Sequence, residues 1–321
     1  MRRLAMLVGA IMLAVVMPTA TADGLSCGET VTQDVTLTHD LVDCTGDGLI
    51  VGASGITIDL GGYTIDGDDD TSLSGGAGIR IASPYNDVAV LKGTITGFSQ
   101  GVQLDSTTGN NVSRLSATDN VRGIDLANAW GNVIEKNTVT SSALDGIRVN
   151  GVASDDNVVR KNVVTGNVFG ITASDDADDN LITKNQVSES VYGISVFVRA
   201  NRTEVSRNDV FDNVVVGIQI EWDSDDAIVA RNTVSGNGLG ILVKETVSSA
   251  TVERNDVFGN TGDGIHIGGA SGSVDRNDVF DNGGYGINLT VSSSGNSVAF
   301  NDLFGNGLGA IIDSGTGNTI L

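Results

Sequence analysis

Apolar residues recur in pairs separated by one position along almost the whole chain, and each pair follows a glycine. Ile147 and Val149 after Gly146 are one example. This two-residue period is that of a β-strand, and the 3.6-residue apolar stripe of a helix is absent. Two more short apolar segments complete the unit, as at Val133–Ile134 and Thr138–Val139. Each unit therefore predicts three short strands.

The unit repeats about every 23 residues. The heptapeptide RNDVFDN stands at Arg207–Asn213 and again at Arg276–Asn282, which is 69 residues, or three units of 23, further on. Such regular repetition predicts a solenoid rather than two domains. We expect an all-β fold, a right-handed parallel β-helix of about twelve coils over residues 48–321, with three short strands per coil.

An asparagine occupies the same place in eight consecutive units. These residues are Asn137, Asn162, Asn185, Asn208, Asn232, Asn255, Asn277 and Asn301. Gly93 fills this place earlier, and Leu115 is an exception. Because Asn and Gly tolerate left-handed backbone, we expect a sharp corner here, with the amides stacked from coil to coil. The repeated heptapeptide is thus mostly scaffold.

The N-terminal residues predict export. Residues 1–22 read as a signal peptide, because two arginines precede the apolar run Leu4–Met17 and Ala20–Ala22 offers a small-x-small cleavage site. The run is shorter than the roughly 20 residues of a membrane span, so the protein is not expected to be membrane-embedded. Residues 23–47 are predicted to be a cap in which Cys27 and Cys44 form a disulfide, which persists outside the cytoplasm.

The chain is strongly acidic, with 40 Asp and Glu against 18 Lys and Arg and a net charge of −22. Self-repulsion of this size favours solubility and argues against nucleic acid or an anionic membrane as a partner. The composition is also typical of secreted proteins from high-salt environments, where ions screen the repulsion. We expect a secreted, cell-surface or periplasmic protein that is monomeric or associates end to end.

The register N-x-V-x-x-N followed by G-I-x-V, with the opening SGITIDLGGYTIDG at Ser54–Gly67, resembles the right-handed parallel β-helix repeat family. That family includes the pectin-lyase-like superfamily, carbohydrate-binding and sugar-hydrolase domains, and NosD-type periplasmic proteins. The resemblance covers about residues 45–321 and implies the fold. The Gly-His-Gly and Arg-Ile-Lys motifs of polygalacturonases and the Asp-Pro-His motif of mannuronan epimerases do not occur in the chain.

Outward residues of stacked strands form ladders, so a site must be sought across coils. The ladder predicts a mixed polar face along which a sugar chain can lie. The candidate substrate-binding residues are Arg80, Gln103, Asp125, Asn150 and Gln219, together with Trp130 and Trp222, which could stack on sugar rings.

The alternative is that residues on the same face act in general acid–base catalysis. Glu221, Lys244 and His266 lie on consecutive coils, as do Asp105, Asp125 and Arg148. A uronate lyase or epimerase needs a base, for which Lys244 or His266 is the candidate, and a cation, for which Arg148 is the candidate. Plain ion pairing between neighbouring ladders is the favoured interpretation.

Basic residues precede the corner asparagines. They are Lys136, Lys161, Lys184, Arg207, Arg231, Arg254 and Arg276. A solvated ion-pair network with Asp209, Asp256 and Asp278, just beyond the asparagines, is the favoured explanation, and an anionic glycan is the alternative.

Two pairs of acidic residues, Asp178 with Asp179 and Asp225 with Asp226, suggest an oxygen-ligand site for calcium; we name them the acidic loops. Surface acidity is the favoured interpretation. The NosD resemblance implies copper, but every methionine lies within residues 1–17 and the two histidines, His39 and His266, are far apart. We therefore expect a non-catalytic protein that either interacts with polysaccharides or cell-surface glycans or has a structural role at the cell surface. A polysaccharide lyase or epimerase and a NosD-like maturation factor are the alternatives.

Overall fold

The computed structural model describes residues 20–22, 24–69, 72 and 75–321. Throughout this part of the chain the regular elements are β-strands that pair in parallel, and no helix there is long and apolar enough to cross a membrane. The strands build a right-handed parallel β-helix of thirteen coils, which confirms the predicted fold. Residues 1–19 lie outside the described residues, so the signal peptide stays a prediction.

Each coil contributes strands to three faces, A, B and C. Face A is a sheet of thirteen strands. Its strands are β2 (Glu29–Val31), β5 (Leu49–Val51), β8 (Ala77–Ala82), β10 (Gln100–Asp105), β12 (Arg122–Ala127), β15 (Asp145–Asn150), β18 (Phe169–Ser174), β21 (Tyr192–Phe197), β24 (Val216–Ile220), β27 (Leu239–Val243), β30 (Ile265–Ile267), β33 (Tyr285–Leu289) and β36 (Gly309–Asp313).

Faces B and C belong to one 24-stranded sheet, because two strands bend continuously from B to C. These two strands are β9 (Ala89–Thr96) and β11 (Asn111–Thr118). Face B otherwise contains β1 (Ala20–Ala22), β3 (Val35–Leu37), β6 (Thr57–Asp59), β13 (Val133–Glu135), β16 (Val158–Arg160), β19 (Leu181–Thr183), β22 (Glu204–Ser206), β25 (Ile228–Ala230), β28 (Thr251–Glu253), β31 (Ser273–Asp275), β34 (Ser297–Ala299) and β37 (Thr319–Ile320). Face C otherwise contains β4 (Leu41–Cys44), β7 (Thr64–Gly67), β14 (Thr138–Thr140), β17 (Val163–Thr165), β20 (Gln186–Ser188), β23 (Asp209–Phe211), β26 (Thr233–Ser235), β29 (Asp256–Phe258), β32 (Asp278–Phe280) and β35 (Asp302–Phe304).

The inward side chains form one continuous core along the helix. In the coil of β15 to β17, Ile147, Val149, Val159 and Val164 are all fully buried. The glycine before the apolar pair is required by close packing, since a Cβ on Gly146 would lie only 2.6 Å from Val164 Cγ1. The two-residue alternation of the sequence thus encodes which side chains face inward.

Stacked asparagine amides stabilise the corner between faces B and C, as the sequence predicts. The Asn208 backbone N–H donates to Asn232 Oδ1 at 2.9 Å, and the Asn208 Nδ2 donates to the same oxygen at 3.0 Å. The amide is buried and also donates to Ile182 O at 2.9 Å. Similar ladders occur at the other two corners, for example from Asn132 to Asn157 and from Asn237 to Asn260.

The left-handed residue at this corner is not the asparagine, which corrects the prediction. It is the preceding basic residue, as at Lys184 with φ +58° and Arg207 with φ +57°. The asparagine side chain turns inward, where its amide can bridge two coils. Where Gly93 or Leu115 replaces it, the strand runs through the corner without a break.

The N-terminal end carries the predicted disulfide. Cys27 and Cys44 are bonded, with their Cα atoms 5.3 Å apart, and Cys44 is fully buried. The segment predicted as a cap contains β2, β3 and β4, so it forms a coil of its own. This additional coil accounts for thirteen coils where about twelve were expected.

Candidate functional site

The outward side chains of face A form the predicted ladder. Directly paired positions on successive coils run from Arg80 to Asn288. The residues between them are Gln103, Asp125, Arg148, Thr172, Ser195, Gln219, Leu242 and His266. This column divides face A into a charged region near the N-terminal end, an aromatic groove in the middle, and a histidine cluster towards the C-terminal end.

The charged region consists of carboxylates that are already paired with arginines. Arg148 donates from Nε to Asp125 Oδ1 at 2.7 Å and from Nη2 to Asp125 Oδ2 at 3.1 Å. Arg80 binds Asp47 in the same two-pronged way and also contacts Gln103. These are the strong, geometrically specific ion pairs that guanidinium groups make. Arg148 is therefore held by Asp125.

Asp145 joins this region, and the sequence did not single it out. Its carboxylate accepts a hydrogen bond from Arg122 Nε at 3.2 Å and one from Thr172 Oγ1 at 3.2 Å. Burial raises the pKa of Asp145 above the ordinary aspartate value, although the neighbouring arginines work against this shift. Asn150 lies beside the region and contacts Asp175.

Four aromatic rings line an open groove on the middle coils. Phe169 stacks on Tyr192 with a centroid separation of 5.0 Å, and Phe197 meets Trp222 edge to face at 5.9 Å. The groove is open to solvent. Its other lining residues are Val215, Val216, Gln219, Glu221, Leu239, Leu242 and Lys244. Trp222 is 55% exposed, so its side chain is accessible to a ligand.

A single ion pair supplies most of the polarity of the groove. Lys244 Nζ lies 2.8 Å from Glu221 Oε1, and the Glu221 side chain is almost completely buried. Gln219 Nε2 donates to Ser195 Oγ at 2.9 Å. The structure thus brings together Gln219, Glu221, Trp222 and Lys244, which the sequence had divided between binding and catalytic roles.

His266 belongs to a separate cluster. Its Nδ1 lies 2.9 Å from Asp263 Oδ2, and the same oxygen accepts a hydrogen bond from Asn288 Nδ2 at 2.8 Å. Burial works to raise the pKa of Asp263, but hydrogen bonds from His266, Asn288 and a backbone N–H hold it below the usual value. His266 therefore pairs with Asp263 and is not among the residues that line the groove with Glu221 and Lys244.

The sequence reasoning did not identify the residue directly before the glycine of each repeat as a site position. Asp145, Phe169, Tyr192 and Asp263 all occupy it, and they supply two acidic partners and two aromatic rings. If inward and outward residues alternated strictly along the strand, the glycine before the apolar pair would face outward. The glycine instead packs inward, so that the residue before it takes the outward position. The recurrence of aromatic or acidic residues directly before the glycine is the sequence signal that indicates these site positions.

The remaining candidates lie apart from the groove. Trp130 is 44% exposed and pairs with Thr108 in an isolated bridge four coils away from Trp222. Arg202 binds both Asp178 and Asp179, at 2.9 and 2.8 Å. In the second acidic loop, Asp225 Oδ1 accepts the Ser248 N–H at 2.7 Å, and Asp226 is a left-handed corner residue.

The side chains that could bind a metal are dispersed in the described ranges. No group of three or more His, Cys, Asp or Glu side chains that could hold a metal ion is found among those residues. The calcium hypothesis for the acidic loops stays a prediction. For copper the available donors do not fit, because both cysteines form the disulfide and His39 and His266 stand ten coils, or about 48 Å, apart along the helix axis.

Comparison with known proteins agrees with this architecture. A family model described as periplasmic copper-binding protein (NosD) matches residues 44–221, and one described as right handed beta helix region matches residues 170–279. No curated protein matches.

Several solved structures share the fold. The A-module of the mannuronan C-5 epimerase AlgE4 from Azotobacter vinelandii is 14% identical, with a TM-score of 0.70 over 91% of both chains. A mutant of the periplasmic alginate epimerase AlgG is 15% identical, with a TM-score of 0.60 over 90% of this chain and 76% of that one. The enzymatically active domain of tailspike protein 2 from bacteriophage CBA120 is 14% identical, with a TM-score of 0.55 over 69% of this chain and 40% of that one. At such identities the likeness concerns the fold.

Proposed function

The chain belongs to the NosD family of right-handed parallel β-helix proteins, and we propose that it is an exported protein that binds polysaccharide on face A without cleaving it. The observation that carries this proposal is the groove lined by Phe169, Tyr192, Phe197 and Trp222. A concave apolar surface with a few convergent polar groups is the usual form of a ligand site. Flat aromatic faces suit the apolar faces of sugar rings.

A long polymer suits this surface better than a small ligand does. Face A runs along all thirteen coils, and polar side chains extend from the groove in both directions along the ladder. A sugar chain lying parallel to the helix axis would meet new donors and acceptors at each coil, about 4.8 Å apart. Affinity would then be spread over many modest contacts, with the aromatic groove as the anchor.

Binding without catalysis is favoured because the candidate acid–base groups on this face are engaged with one another. Glu221 is paired with Lys244, Asp125 with Arg148, and Asp145 with Arg122. A general base must be free to reach the proton that it abstracts. The paired groups instead resemble neighbouring ladders that neutralise each other's charge.

A uronate lyase or epimerase is the second candidate, and one observation favours it. Asp263 fixes the ring of His266 through Nδ1, which is how many enzymes orient a histidine that acts as a base through its other nitrogen. Two of the proteins that share the fold are named as mannuronan or alginate epimerases, so uronate polymers are the first ligands to test.

Export is proposed for the same protein. The NosD family is described as periplasmic, and the Cys27–Cys44 bond is of a kind that persists in oxidising compartments. The proposed location is the periplasm or the outside of the cell.

The test combines a glycan array with product analysis. Wild-type protein is applied to neutral and acidic polysaccharides, and the same polymers are examined for unsaturated uronate and for changed uronate stereochemistry. The proposal predicts retention of at least one polymer with no product. It also predicts that Trp222→Ala lowers retention severalfold, while the matched control Trp130→Ala, which removes an indole of similar exposure outside the groove, leaves it unchanged.

Two outcomes would contradict the proposal. Product formed by wild type and lost in His266→Ala would establish the enzyme alternative. Retention that survives in Trp222→Ala would show that the groove is not the binding site.

A further inference from the structure

The corner between faces B and C carries a line of cations. In ten consecutive coils the residue before this corner has a left-handed backbone, with φ between +54° and +59°. Nine of the ten are exposed lysines or arginines, which we name the basic ridge, and the tenth is Phe300. The ridge residues are Lys92, Arg114, Lys136, Lys161, Lys184, Arg207, Arg231, Arg254 and Arg276.

The other two corners show that the backbone does not require cations. At the corner between A and B the left-handed residue that stands two positions before each face B strand, from Asp87 to Gly317, is glycine, aspartate or serine, with Arg202 as the exception. At the corner between C and A, from Gly97 to Gly305, they are glycine, aspartate, serine or Glu189. A Cβ raises the energy of left-handed backbone, a cost that glycine avoids. Half of the 18 Lys and Arg residues nevertheless stand on this one line of a protein with net charge −22.

Acidic partners neutralise only part of the ridge. Lys136 lies 3.5 Å from Glu135, and Arg254 lies 3.0 Å from Glu253. The predicted partners Asp209, Asp256 and Asp278 make no such pair among the described residues, so the expected network is wrong in its partners. No ion pair joins the ridge residues Arg114, Lys161, Lys184, Arg207 and Arg231 to any described acidic side chain.

Four of these unpaired cations, Lys161 to Arg231, stand on consecutive coils. The asparagine ladder fixes their Cα spacing at about 4.8 Å, which is shorter than the screening length of about 8 Å at physiological salt. They therefore repel one another unless an anion lies along them.

A groove on face B runs beside this segment. It is open to solvent, and its lining includes Arg160, Lys161, Lys184 and Arg207. The hydroxyl of Ser206 donates to Thr183 Oγ1 at 3.2 Å on the groove floor, and both residues are buried under the longer side chains. Glu204 is the acidic residue of the lining. Cations at regular spacing along a groove match a chain that carries carboxylates at regular spacing.

We propose that the basic ridge binds a linear acidic polysaccharide with one carboxylate per sugar, aligned with the helix axis. Such a polymer presents its charges at an interval of the same order as the coil spacing, so that successive carboxylates meet successive coils. A single-stranded nucleic acid fits less well, because this groove lining contains no aromatic ring on which bases could stack. The ridge is on a different corner from the groove on face A, so this proposal does not depend on the proposed function.

The experiment compares two double variants that change the net charge equally. Lys184→Gln with Arg207→Gln removes two unpaired ridge cations. Arg199→Gln with Arg202→Gln removes two cations at the corner between faces A and B, which are paired with Asp176, Asp178 and Asp179. Binding of polygalacturonate and polymannuronate chains is measured against a neutral dextran control, from about 50 to 200 mM salt. Circular dichroism confirms that each variant folds.

Binding of a polyuronate, but not of dextran, is expected to weaken as salt rises. Because an exposed ion pair contributes about two- to fivefold in affinity, the ridge variant is expected to bind about four to twenty-five times more weakly, with a shallower salt dependence. The control variant is expected to bind as wild type does. Equal losses in both variants, or no polyuronate binding by wild type, would overturn the proposal.

Two further results separate this proposal from other sites. Tighter binding of single-stranded DNA than of polyuronate would assign the ridge to nucleic acid and overturn the proposal. Polyuronate binding that is lost in Trp222→Ala but kept in the ridge variant would place the acidic polymer in the groove on face A, and would also reject the ridge. Failure of Trp222→Ala to affect polyuronate binding leaves the ridge proposal standing.

Discussion

Removing one asparagine from the middle of the corner ladder should destabilise the whole fold. Asn208 Oδ1 accepts the Asn185 backbone N–H at 2.9 Å and the Asn185 amide at 3.0 Å. Its Nδ2 donates to Ile182 O and Asn232 Oδ1. Asn208→Ala therefore removes four hydrogen bonds and leaves the buried Asn185 N–H without its partner.

The magnitude follows from these contacts. A buried donor left without a partner costs about 1–3 kcal/mol, and each of the other three bonds contributes about 0.5–1.5 kcal/mol net. The expected loss in the free energy of unfolding is therefore about 2.5–7.5 kcal/mol. The matched control is Asn201→Ala at a partly exposed corner, where Asn201 Oδ1 accepts the Asp225 N–H at 2.8 Å and Nδ2 donates to Arg199 O at 3.0 Å. Water can replace both bonds, so the control should lose about 1 kcal/mol or less.

Guanidinium-induced unfolding of both variants, followed by circular dichroism, measures the difference. The unfolding midpoint and slope give the free energy for each protein. A loss below about 1 kcal/mol for Asn208→Ala, or a loss equal to that of Asn201→Ala, would refute the view that buried amide ladders hold the coils together.

Three other predictions concern protons, thiols and ions. The pKa of Asp263 is lowered in the folded state, so its contribution to stability is present above the ordinary value near 3.9 and is lost as pH falls through the folded-state pKa. Melting curves between neutral and acid pH should therefore show that Asp263→Asn loses less stability in acid than wild type does. An equal loss of stability in the two proteins would contradict this. The disulfide spans 17 residues, so reduction should lower stability by about 3 kcal/mol, and thiol titration of the unreduced denatured protein should find no free cysteine. Monovalent salt should raise the melting temperature because of the net charge of −22, and only an increment with calcium that magnesium does not reproduce would support a site in the acidic loops.

The fold could be predicted from the sequence because repetition makes one local rule hold in every coil. The alternation of Ile147 and Val149 and the glycine before them specify the inward face wherever they recur. The position of the corner between faces B and C could be predicted from the sequence, but the residue that takes the left-handed backbone could not. Both Asn208 and Arg207 are compatible with a bend, and only the inward hydrogen bonds of the amide decide that Arg207 takes the left-handed backbone.

The candidate site was harder to predict because its members come from different coils. Gln219 and Trp222 were identified, yet Phe169 lies two coils earlier and enters the groove through a shift of one residue at Gly170. The pairing of His266 with Asp263 likewise depends on that shift. Periodicity predicts which positions face outward in general, whereas side-chain partners across coils depend on local backbone geometry.

Tryptophan fluorescence tests most directly whether the groove on face A binds sugar. The chain has two tryptophans, so Trp130→Phe leaves Trp222 as the single reporter in the groove, and Trp222→Phe leaves Trp130 outside it. Oligosaccharides of a polymer that wild type retains are titrated into each variant. A ring stacked on the exposed indole should shift the emission of Trp222 to shorter wavelength in a saturable way, with no change in the Trp130 reporter. An unchanged Trp222 spectrum under conditions where the polymer is bound would contradict the account.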